Sequence, residues 1–127
     1  MKKLKVLIAE DDQSSEIFIS ILVQQYSYEI IQVQTGKDAV EICRNNDDID
    51  LVLMDIKMPE MSGIEATHAI REFNKDLVII AQTAYALAGD REKLLEAGCT
   101  DYISKPINRE KFAQLISKYF KEELEHV

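Results

Sequence analysis

Short apolar runs alternate with helical patterns five times along this chain, and this alternation constrains the fold more than any other feature. Each run has the length of a strand that is buried on both faces. Because neighbouring parallel strands are joined by crossovers that helices provide, we predict an α/β fold, a five-stranded parallel sheet with helices on both faces. The predicted strands are residues 5–9, 29–33, 51–54, 77–81 and 102–104.

Capping signals place most of the helices between these strands. Thr35 with Asp38, and Ser62 with Glu65, have the spacing of capping boxes, which predicts helices that begin at these pairs. Gly98 is well placed to end a fourth helix at about residues 87–97. The first helix is expected from apolar residues at 17, 18, 21 and 22, and the fifth, capped by Asn108, from a core-facing stripe at 112, 115, 116, 119 and 120.

Composition limits the domain count and the classes of partner. A chain of 127 residues with 46% hydrophobic residues suits one compact domain, so we expect residues 1–127 to form a single domain. The formal net charge of -8 opposes binding to nucleic acid or an anionic membrane and favours a basic partner or a cation. No apolar stretch approaches the roughly 20 residues that span a bilayer, and no signal-peptide pattern is present. We therefore expect a cytoplasmic protein.

The cysteines and histidines do not have the spacing of a disulfide framework or a metal site. Cys43 and Cys99 lack Cys-x-x-Cys spacing, so we expect two reduced, partly buried thiols rather than a disulfide or a zinc site. His68 and His126 are isolated, and both are expected at the surface. The candidate site must therefore be built from other residue types.

Carboxylates follow two of the predicted strands. Glu10 and Asp11 follow the first strand, and Asp55 follows the third. Taken alone, Asp55 would be an exposed acid that begins a loop. In the common strand order 2-1-3-4-5, however, the first and third strands flank the point where the order reverses, and ligands bind there. Because a hard divalent cation would offset the repulsion between clustered carboxylates, we predict a site for Mg²⁺ or Mn²⁺.

Two further strand ends supply groups that suit a phosphoryl group. Thr83 follows the fourth strand with a hydroxyl, the small Ala84 lets a ligand approach the backbone, and Lys105 follows the fifth strand. Each of these residues alone would be an ordinary exposed residue. Together with a metal ion they can neutralise and hydrogen-bond a phosphoryl group. A carboxylate beside that site can itself be the nucleophile and form an aspartyl phosphate.

Four motifs resemble, in order and spacing, the receiver domain of two-component response regulators, over essentially the whole chain: residues 8–12, 54–63, 83–84 and 105–106. The resemblance implies a doubly wound, flavodoxin-like fold and a phosphoacceptor role for Asp55, which would take a phosphoryl group from a phosphohistidine. It also implies a magnesium site formed by Asp11, Asp55 and the backbone carbonyl of Lys57, with Glu10 acting mainly through water.

The same resemblance implies roles for the remaining positions. Thr83, Lys105 and the backbone of Ala84 would hold the phosphoryl group, and Tyr102 would turn inward when Thr83 moves, although an ordinary core aromatic is the alternative for Tyr102. The tight turn that must aim Lys105 into the site, together with the resemblance, predicts a cis Lys105–Pro106 peptide bond. The switching face would comprise the fourth helix, the fifth strand and the fifth helix, at about residues 87–120.

The implied function is signalling in a phosphorelay, with no enzyme activity beyond the domain's own phosphorylation and dephosphorylation. The implied donor is a sensor histidine kinase or a histidine phosphotransfer protein, and the switching face would bind a downstream protein or a second copy of the chain. Residues 55–63 and 83–90 resemble the receivers of hybrid histidine kinases in particular. Both a stand-alone regulator and a segment of a longer kinase fit this resemblance.

Two other classes share parts of the pattern. A flavodoxin-type electron carrier has the same fold class, but its phosphate loop after the first strand is rich in Ser, Thr and Gly, where this chain has Glu10, Asp11 and Asp12. A metal-dependent phosphatase with an aspartyl nucleophile would also use Mg²⁺, but its nucleophile is expected on the first strand. Both alternatives fit less well than a receiver domain, and no organic cofactor is predicted.

Overall fold

A computed structural model of the chain describes residues 3–84 and 88–124. These residues form five strands and five helices in strict alternation, as predicted. The strands are β1 (Leu4–Ala9), β2 (Ser27–Val33), β3 (Leu51–Asp55), β4 (Val78–Thr83) and β5 (Asp101–Ser104). The helices are α1 (Gln13–Gln24), α2 (Gly36–Asn45), α3 (Gly63–Arg71), α4 (Ala88–Ala97) and α5 (Arg109–Leu124). Within the described residues, no helix combines the length and the apolar character needed to cross a membrane.

The strands form one parallel sheet in the order β2-β1-β3-β4-β5, which confirms the predicted topology. Every residue of β1 and β3 is buried, because helices cover both faces of the sheet. The third strand extends one residue beyond its predicted end, since Asp55 pairs in register with Gln82 of β4. Ala9 pairs with Met54, so the carboxyl ends of β1 and β3 lie side by side where the strand order reverses.

Two apolar clusters, one on each face of the sheet, form the core. On one face, α1 and α5 pack against the strands through residues such as Leu22 and Phe112. On the other face, α2, α3 and α4 contribute Val40, Ile70 and Leu94. Because successive strand residues point to opposite faces, each of the central strands supplies both clusters. Burial of this apolar surface is the main source of stability.

The starts of two helices agree with their predicted caps. The hydroxyl of Thr35 accepts a hydrogen bond from the backbone N–H of Asp38 at the start of α2. Ser62 and Glu65 form a complete capping box at the start of α3, with both reciprocal hydrogen bonds present. These short polar side chains satisfy backbone donors that have no partner inside a helix, which fixes where each helix begins.

The ends of α4 and the start of α5 also follow the sequence signals. Gly98 has a φ of 109°, a left-handed conformation that favours glycine, and it directly follows α4. The side chain of Asn108 accepts a hydrogen bond from the backbone N–H of Lys111 at 3.0 Å, which confirms the predicted cap. The fourth helix begins at Ala88, whereas its predicted start at Leu87 lies outside the described residues.

The buried face of α1 differs from the pattern that predicted the helix. Of the four residues in that pattern, Ile17, Phe18 and Ile21 are 51%, 45% and 58% exposed. Leu22 is buried and contacts the core together with Ile19, which the pattern did not include. Apolar residues at 17, 18, 19, 21, 22 and 23 cover most of the helix circumference, so their spacing could not identify the face that packs on the sheet. We define the exposed residues Ile17, Phe18 and Ile21 as the α1 patch.

Both cysteines are buried free thiols, in line with the sequence analysis. Burial raises the pKa of the Cys43 thiol to about 12, so this side chain stays protonated and behaves as a small apolar residue. His68 is exposed, as expected, and His126 lies outside the described residues.

Close backbone contacts at two glycines fix the loop between β3 and α3. A Cβ atom at Gly63 would lie 2.0 Å from the carbonyl oxygen of Asp55, and one at Gly36 would lie 2.2 Å from that of Met61. Within this loop Glu60 has a φ of 62°, a conformation that costs a residue other than glycine about 1 kcal/mol or more. The backbone next to Asp55 is therefore tightly constrained.

Replacing Gly63 by Ala should destabilise the fold, because the new Cβ atom would collide with the carbonyl oxygen of Asp55. We expect a loss of about 1–3 kcal/mol in the free energy of unfolding, measured by urea denaturation. The control is His68→Ala, at an exposed position of the same helix, which should change stability by less than about 0.5 kcal/mol. Equal stability of Gly63→Ala and the wild type would contradict this contact.

Candidate functional site

Three carboxylates converge where the order of the strands reverses. Glu10 and Asp11 directly follow β1, and Asp55 is the last residue of β3. One oxygen of each carboxylate lies within 4.8 Å of the others. Glu10 and Asp55 are only 1% and 5% exposed, whereas Asp11 is exposed. The structure therefore brings together the acids on which the sequence prediction depends.

The ammonium group of Lys105 lies between the two buried carboxylates. Its Nζ is 2.9 Å from Oε1 of Glu10 and 3.1 Å from Oδ1 of Asp55. The backbone N–H of Lys105 donates a hydrogen bond to the carbonyl oxygen of Thr83 at 2.8 Å, and the Lys105–Pro106 peptide bond is cis, as predicted. The positive charge of Lys105 thus opposes the repulsion between two negative charges that are removed from water.

Burial and neighbouring charges change the proton affinity of these groups. Burial, reinforced by the adjacent Asp55, raises the pKa of Glu10 to about 7, although its hydrogen bond with Lys105 acts in the opposite direction. Burial alone would lower the pKa of Lys105, but contacts with Glu10 and Asp55 outweigh it, so the pKa is raised. Lys105 therefore stays charged at neutral pH, while the carboxyl group of Glu10 is close to the midpoint of its titration.

The carboxylates and Lys105 line a cavity with a volume of about 310 Å³. The backbone N–H of Lys57 donates to Oδ1 of Asp55 at 3.4 Å, Thr83 is buried at the end of β4, and Ala84 is exposed directly after it. All the residues that the sequence assigned to metal and phosphoryl binding line this cavity: Glu10, Asp11, Asp55, Lys57, Thr83, Ala84 and Lys105.

Tyr102 belongs to a different part of the structure. It is half-buried in β5 and packs against the apolar cluster on the side of α2, α3 and α4. It pairs in register with Ala81, and Thr83 follows two positions later on the same face of the sheet. Tyr102 also lines a groove of about 470 Å³ together with Arg91 and Lys111. Its position is compatible with both roles considered for it, a core aromatic and a switch.

The chemistry of the cavity is that of a cation and a phosphoryl group. Three carboxylates offer oxygen ligands only, which suits a hard divalent cation such as Mg²⁺ better than zinc. Lys105 and the hydroxyl of Thr83 are groups that can contact the oxygens of a phosphoryl group, and the carboxylate of Asp55 is a group that can act as a nucleophile. The site residues thus complement each other in charge and in hydrogen bonding.

Gln82 also lines this cavity, although the sequence did not single it out, because a polar residue beside a strand end is ordinary. Its side chain is fully buried, and neither amide atom has a hydrogen-bond partner among the described residues. It pairs in register with Asp55 and lines the cavity. The signal that the sequence offers for Gln82 is a polar residue in an otherwise apolar strand. Its position beside Asp55 follows from the strand register, which the sequence does not reveal.

The model of the response regulator receiver domain family matches residues 6–117. The chain belongs to this family. The match covers every residue of the cavity, from Glu10 to Lys105, and it agrees with the resemblance noted in the sequence.

Two relatives of this receiver domain differ greatly in length. Hybrid signal transduction histidine kinase I of Dictyostelium discoideum is 39% identical over 130 residues, which cover 93% of this chain and 8% of that protein. The polar-differentiation response regulator DivK of Brucella ovis is 36% identical over 116 residues, which cover 90% of this chain and 94% of that protein. The receiver domain is thus similar both to a small segment of a long kinase and to nearly all of a separate regulator.

Solved receiver domains have the same fold. The receiver domain of Ssk1, in a co-crystal with the histidine phosphotransfer protein Ypd1 of Saccharomyces cerevisiae, has a TM-score of 0.86 and 29% identity, covering 93% of this chain and 89% of that one. The receiver domain of the sensor histidine kinase PA1611 of Pseudomonas aeruginosa, with a magnesium ion in its active site cleft, has a TM-score of 0.83 and 31% identity, covering 94% and 98%.

The raised pKa of Glu10 predicts how stability depends on pH. Between about 4.5 and about 7 the folded state binds more protons at Glu10 than the unfolded chain does, so stability falls as the pH rises through this window. Without metal, the wild type should lose on the order of 2 kcal/mol relative to Glu10→Gln across the window. Urea denaturation in EDTA at a series of pH values measures this difference, and parallel curves for the two proteins would refute it.

Proposed function

We propose that this receiver domain accepts a phosphoryl group on Asp55 from a phosphohistidine of a sensor histidine kinase or a histidine phosphotransfer protein. The observation that carries this proposal is the environment of Asp55, a nearly buried carboxylate 3.1 Å from the ammonium of Lys105 in a cavity lined by Thr83 and Ala84. Membership in the receiver family supports the same class of reaction. The domain acts as a signalling module and modifies only itself.

The transfer is a displacement at phosphorus. A carboxylate oxygen of Asp55 forms a bond to phosphorus, and the P–N bond of the phosphohistidine breaks. The electron pair of that bond goes to the ring nitrogen, so a ring already protonated on its other nitrogen leaves as neutral imidazole. Lys105, which contacts Asp55 before transfer, would contact the phosphoryl oxygens afterwards, and the Thr83 hydroxyl would donate to one of them.

A divalent cation, Mg²⁺ or Mn²⁺, fits the same cavity. Its ligands would be Asp11, Asp55 and the backbone carbonyl of Lys57, with Glu10 contributing mainly through water. The fit is supported by carboxylate oxygens that lie within 4.8 Å of one another and by a donor set of oxygens alone. When bound, the cation supplies positive charge to the phosphoryl oxygens. Lys105 and the cation would then both contact Glu10 and Asp55, so the position of Lys105 would depend on whether the cation is bound.

The phosphodonor would dock on the α1 patch. Ile17, Phe18 and Ile21 form an exposed apolar surface on the helix that directly follows the acids of β1. Exposed apolar groups clustered beside a reactive site are typical of a protein interface. The related receiver domain of Ssk1 forms a complex with Ypd1, and a donor of this kind bound on α1 would bring its phosphohistidine to Asp55.

The signal would leave through the face formed by α4, β5 and α5. Phosphorylation would add negative charge and strong acceptors at Asp55, and Thr83, which lines the same cavity, would move towards them. Thr83 and Tyr102 lie on the same face of neighbouring strands, so movement of Thr83 frees space that Tyr102 can fill. A downstream protein or a second copy of the domain would detect the change at the groove lined by Tyr102, Arg91 and Lys111.

Treatment with acetyl phosphate and Mg²⁺ should increase the intact mass of the wild type by one phosphoryl group, because Asp55 is the acceptor. The modification should be lost in EDTA and in Asp11→Asn, since both remove the cation. Intact-mass spectrometry of the treated protein measures the outcome.

The matched control for this experiment is Asp55→Asn, which keeps the shape of the side chain and removes the nucleophile. An equal mass increase in Asp55→Asn would assign the phosphoryl group to another residue and refute the proposal. Glu65→Gln, an exposed carboxylate outside the cavity, should be phosphorylated like the wild type.

Beryllofluoride with Mg²⁺, which mimics an aspartyl phosphate, should change the chemical shifts of Thr83 and Tyr102 and of the face formed by α4, β5 and α5. In Thr83→Ala the changes beyond the cavity should disappear, because the proposed path runs through this hydroxyl. Ser117→Ala, at an exposed position of α5, is the control and should keep them. Distant changes that persist in Thr83→Ala would rule out this coupling.

A further inference from the structure

A second pocket, of about 290 Å³, lies between α1 and the loop from β5 to α5. Its walls are mainly apolar and include Phe18, Ile19, Pro106 and Ile107. We call it the α1 pocket. Gln82 and Lys105 line both this pocket and the cavity at Asp55, so the two spaces are separated only by a shared wall of side chains.

Gln82 is one of the polar residues that line the α1 pocket, together with Ser14, Ser15 and Lys105. Strand alternation places Gln82 on the same face of the sheet as Ile80, which packs in the cluster formed with α1 and α5. The residue is 0% exposed, and both Nε2 and Oε1 are without a hydrogen-bond partner in the described part of the chain. A buried amide in this condition destabilises the fold, whereas an apolar side chain of similar length would not. The NH2 group and the carbonyl oxygen of Gln82 are therefore unpaired at the wall of the pocket.

We propose that the α1 pocket binds a side chain of the phosphodonor protein, one with an apolar stem and a tip that both donates and accepts hydrogen bonds. The carboxamide of a glutamine or an asparagine is the best match, because it can pair with Nε2 and Oε1 of Gln82 at the same time. The stem would lie against Phe18 and Ile107. This proposal rests on the proposed function, since the donor reaches the pocket when its phosphohistidine lies at Asp55.

The position of the pocket indicates that this side chain comes from the donor protein. Phe18 belongs both to the α1 patch and to the pocket wall, so a donor packed on the patch places its side chains at the pocket opening. The groove assigned to downstream partners, which includes Tyr102 and Lys111, has a separate set of lining residues within the described ranges. Gln82 would thus act as a specificity determinant, because a donor without a matching polar tip leaves its amide unpaired.

The first experiment uses butyramide, a carboxamide on a short apolar stem, as the probe. In NMR titrations of the full chain it should shift the side-chain amide of Gln82 and the methyl groups of Ile19 and Ile107 in a saturable manner. The compound 2-pentanone, which has a similar stem and accepts but cannot donate, should bind at least fivefold more weakly. Equal affinities for both compounds, or shifts confined to other residues, would overturn the proposal.

The variant Gln82→Met keeps the length of the side chain and removes its hydrogen bonding. Butyramide affinity should fall at least fivefold, while the melting temperature of the variant should rise, because an unpaired buried amide is removed. Gln34→Met, at an exposed position, is the matched control and should change neither value. A lower melting temperature for Gln82→Met would mean that the amide is already paired in the folded protein, which would overturn the proposal.

The second experiment tests whether the donor uses the pocket. Phosphorylated Ypd1, or another histidine phosphotransfer protein selected because it phosphorylates the wild type, serves as donor, and acetyl phosphate serves as the small-molecule comparison. Saturating butyramide should slow transfer from the donor protein at least fivefold and leave the rate with acetyl phosphate unchanged. Unchanged transfer from the donor protein would overturn the role of the pocket. A wild type that takes no phosphoryl group from acetyl phosphate would instead refute the proposed function, so the two failures are distinguishable.

Discussion

The contact of Lys105 with Glu10 and Asp55 is the interaction on which the site depends. Two carboxylates that are almost fully removed from water repel each other, and the ammonium group at 2.9 and 3.1 Å compensates both. Lys105 follows β5, and β4 separates that strand from β3, so its side chain must reach across the end of β4, where Gln82 lies. The charge balance of the cavity therefore depends on both the strand order and the β5–α5 turn, since a change in either would move the ammonium group away from the two carboxylates.

Much of this arrangement could be predicted because its causes are local. Alternating apolar runs and helical patterns specify the parallel sheet, and capping residues such as Ser62 and Glu65 mark helix starts with short-range hydrogen bonds. The position of Asp55 at a strand end, with the general rule for ligand sites in such sheets, identifies the cavity before any coordinates are known. Membership in the receiver family agrees with what these residues indicate jointly.

The features that could not be predicted depend on contacts between distant segments. Spacing alone did not show which side of α1 faces the sheet, because apolar residues cover most of that helix and only packing against the strands decides which of them are buried. The importance of Gln82 depends on its pairing with Asp55 and on its place in the pocket beside α1. The raised pKa of Glu10 likewise arises from burial and from Asp55, which is far away in sequence. Burial, register and proton affinity are therefore properties of the assembled fold.

The exposure of the α1 patch has a consequence for how such a domain can change over time. Ile17, Phe18 and Ile21 lie largely outside the core, and Ile19 and Leu22 hold the helix on the sheet. Substitutions at the exposed positions therefore cost little folding free energy, whereas substitutions at the buried positions create cavities. The exposed residues proposed to dock the donor are thus separate from the residues that hold α1 on the sheet. A duplicated gene could acquire a new partner through a few changes on one helix while the chemistry at Asp55 stays intact.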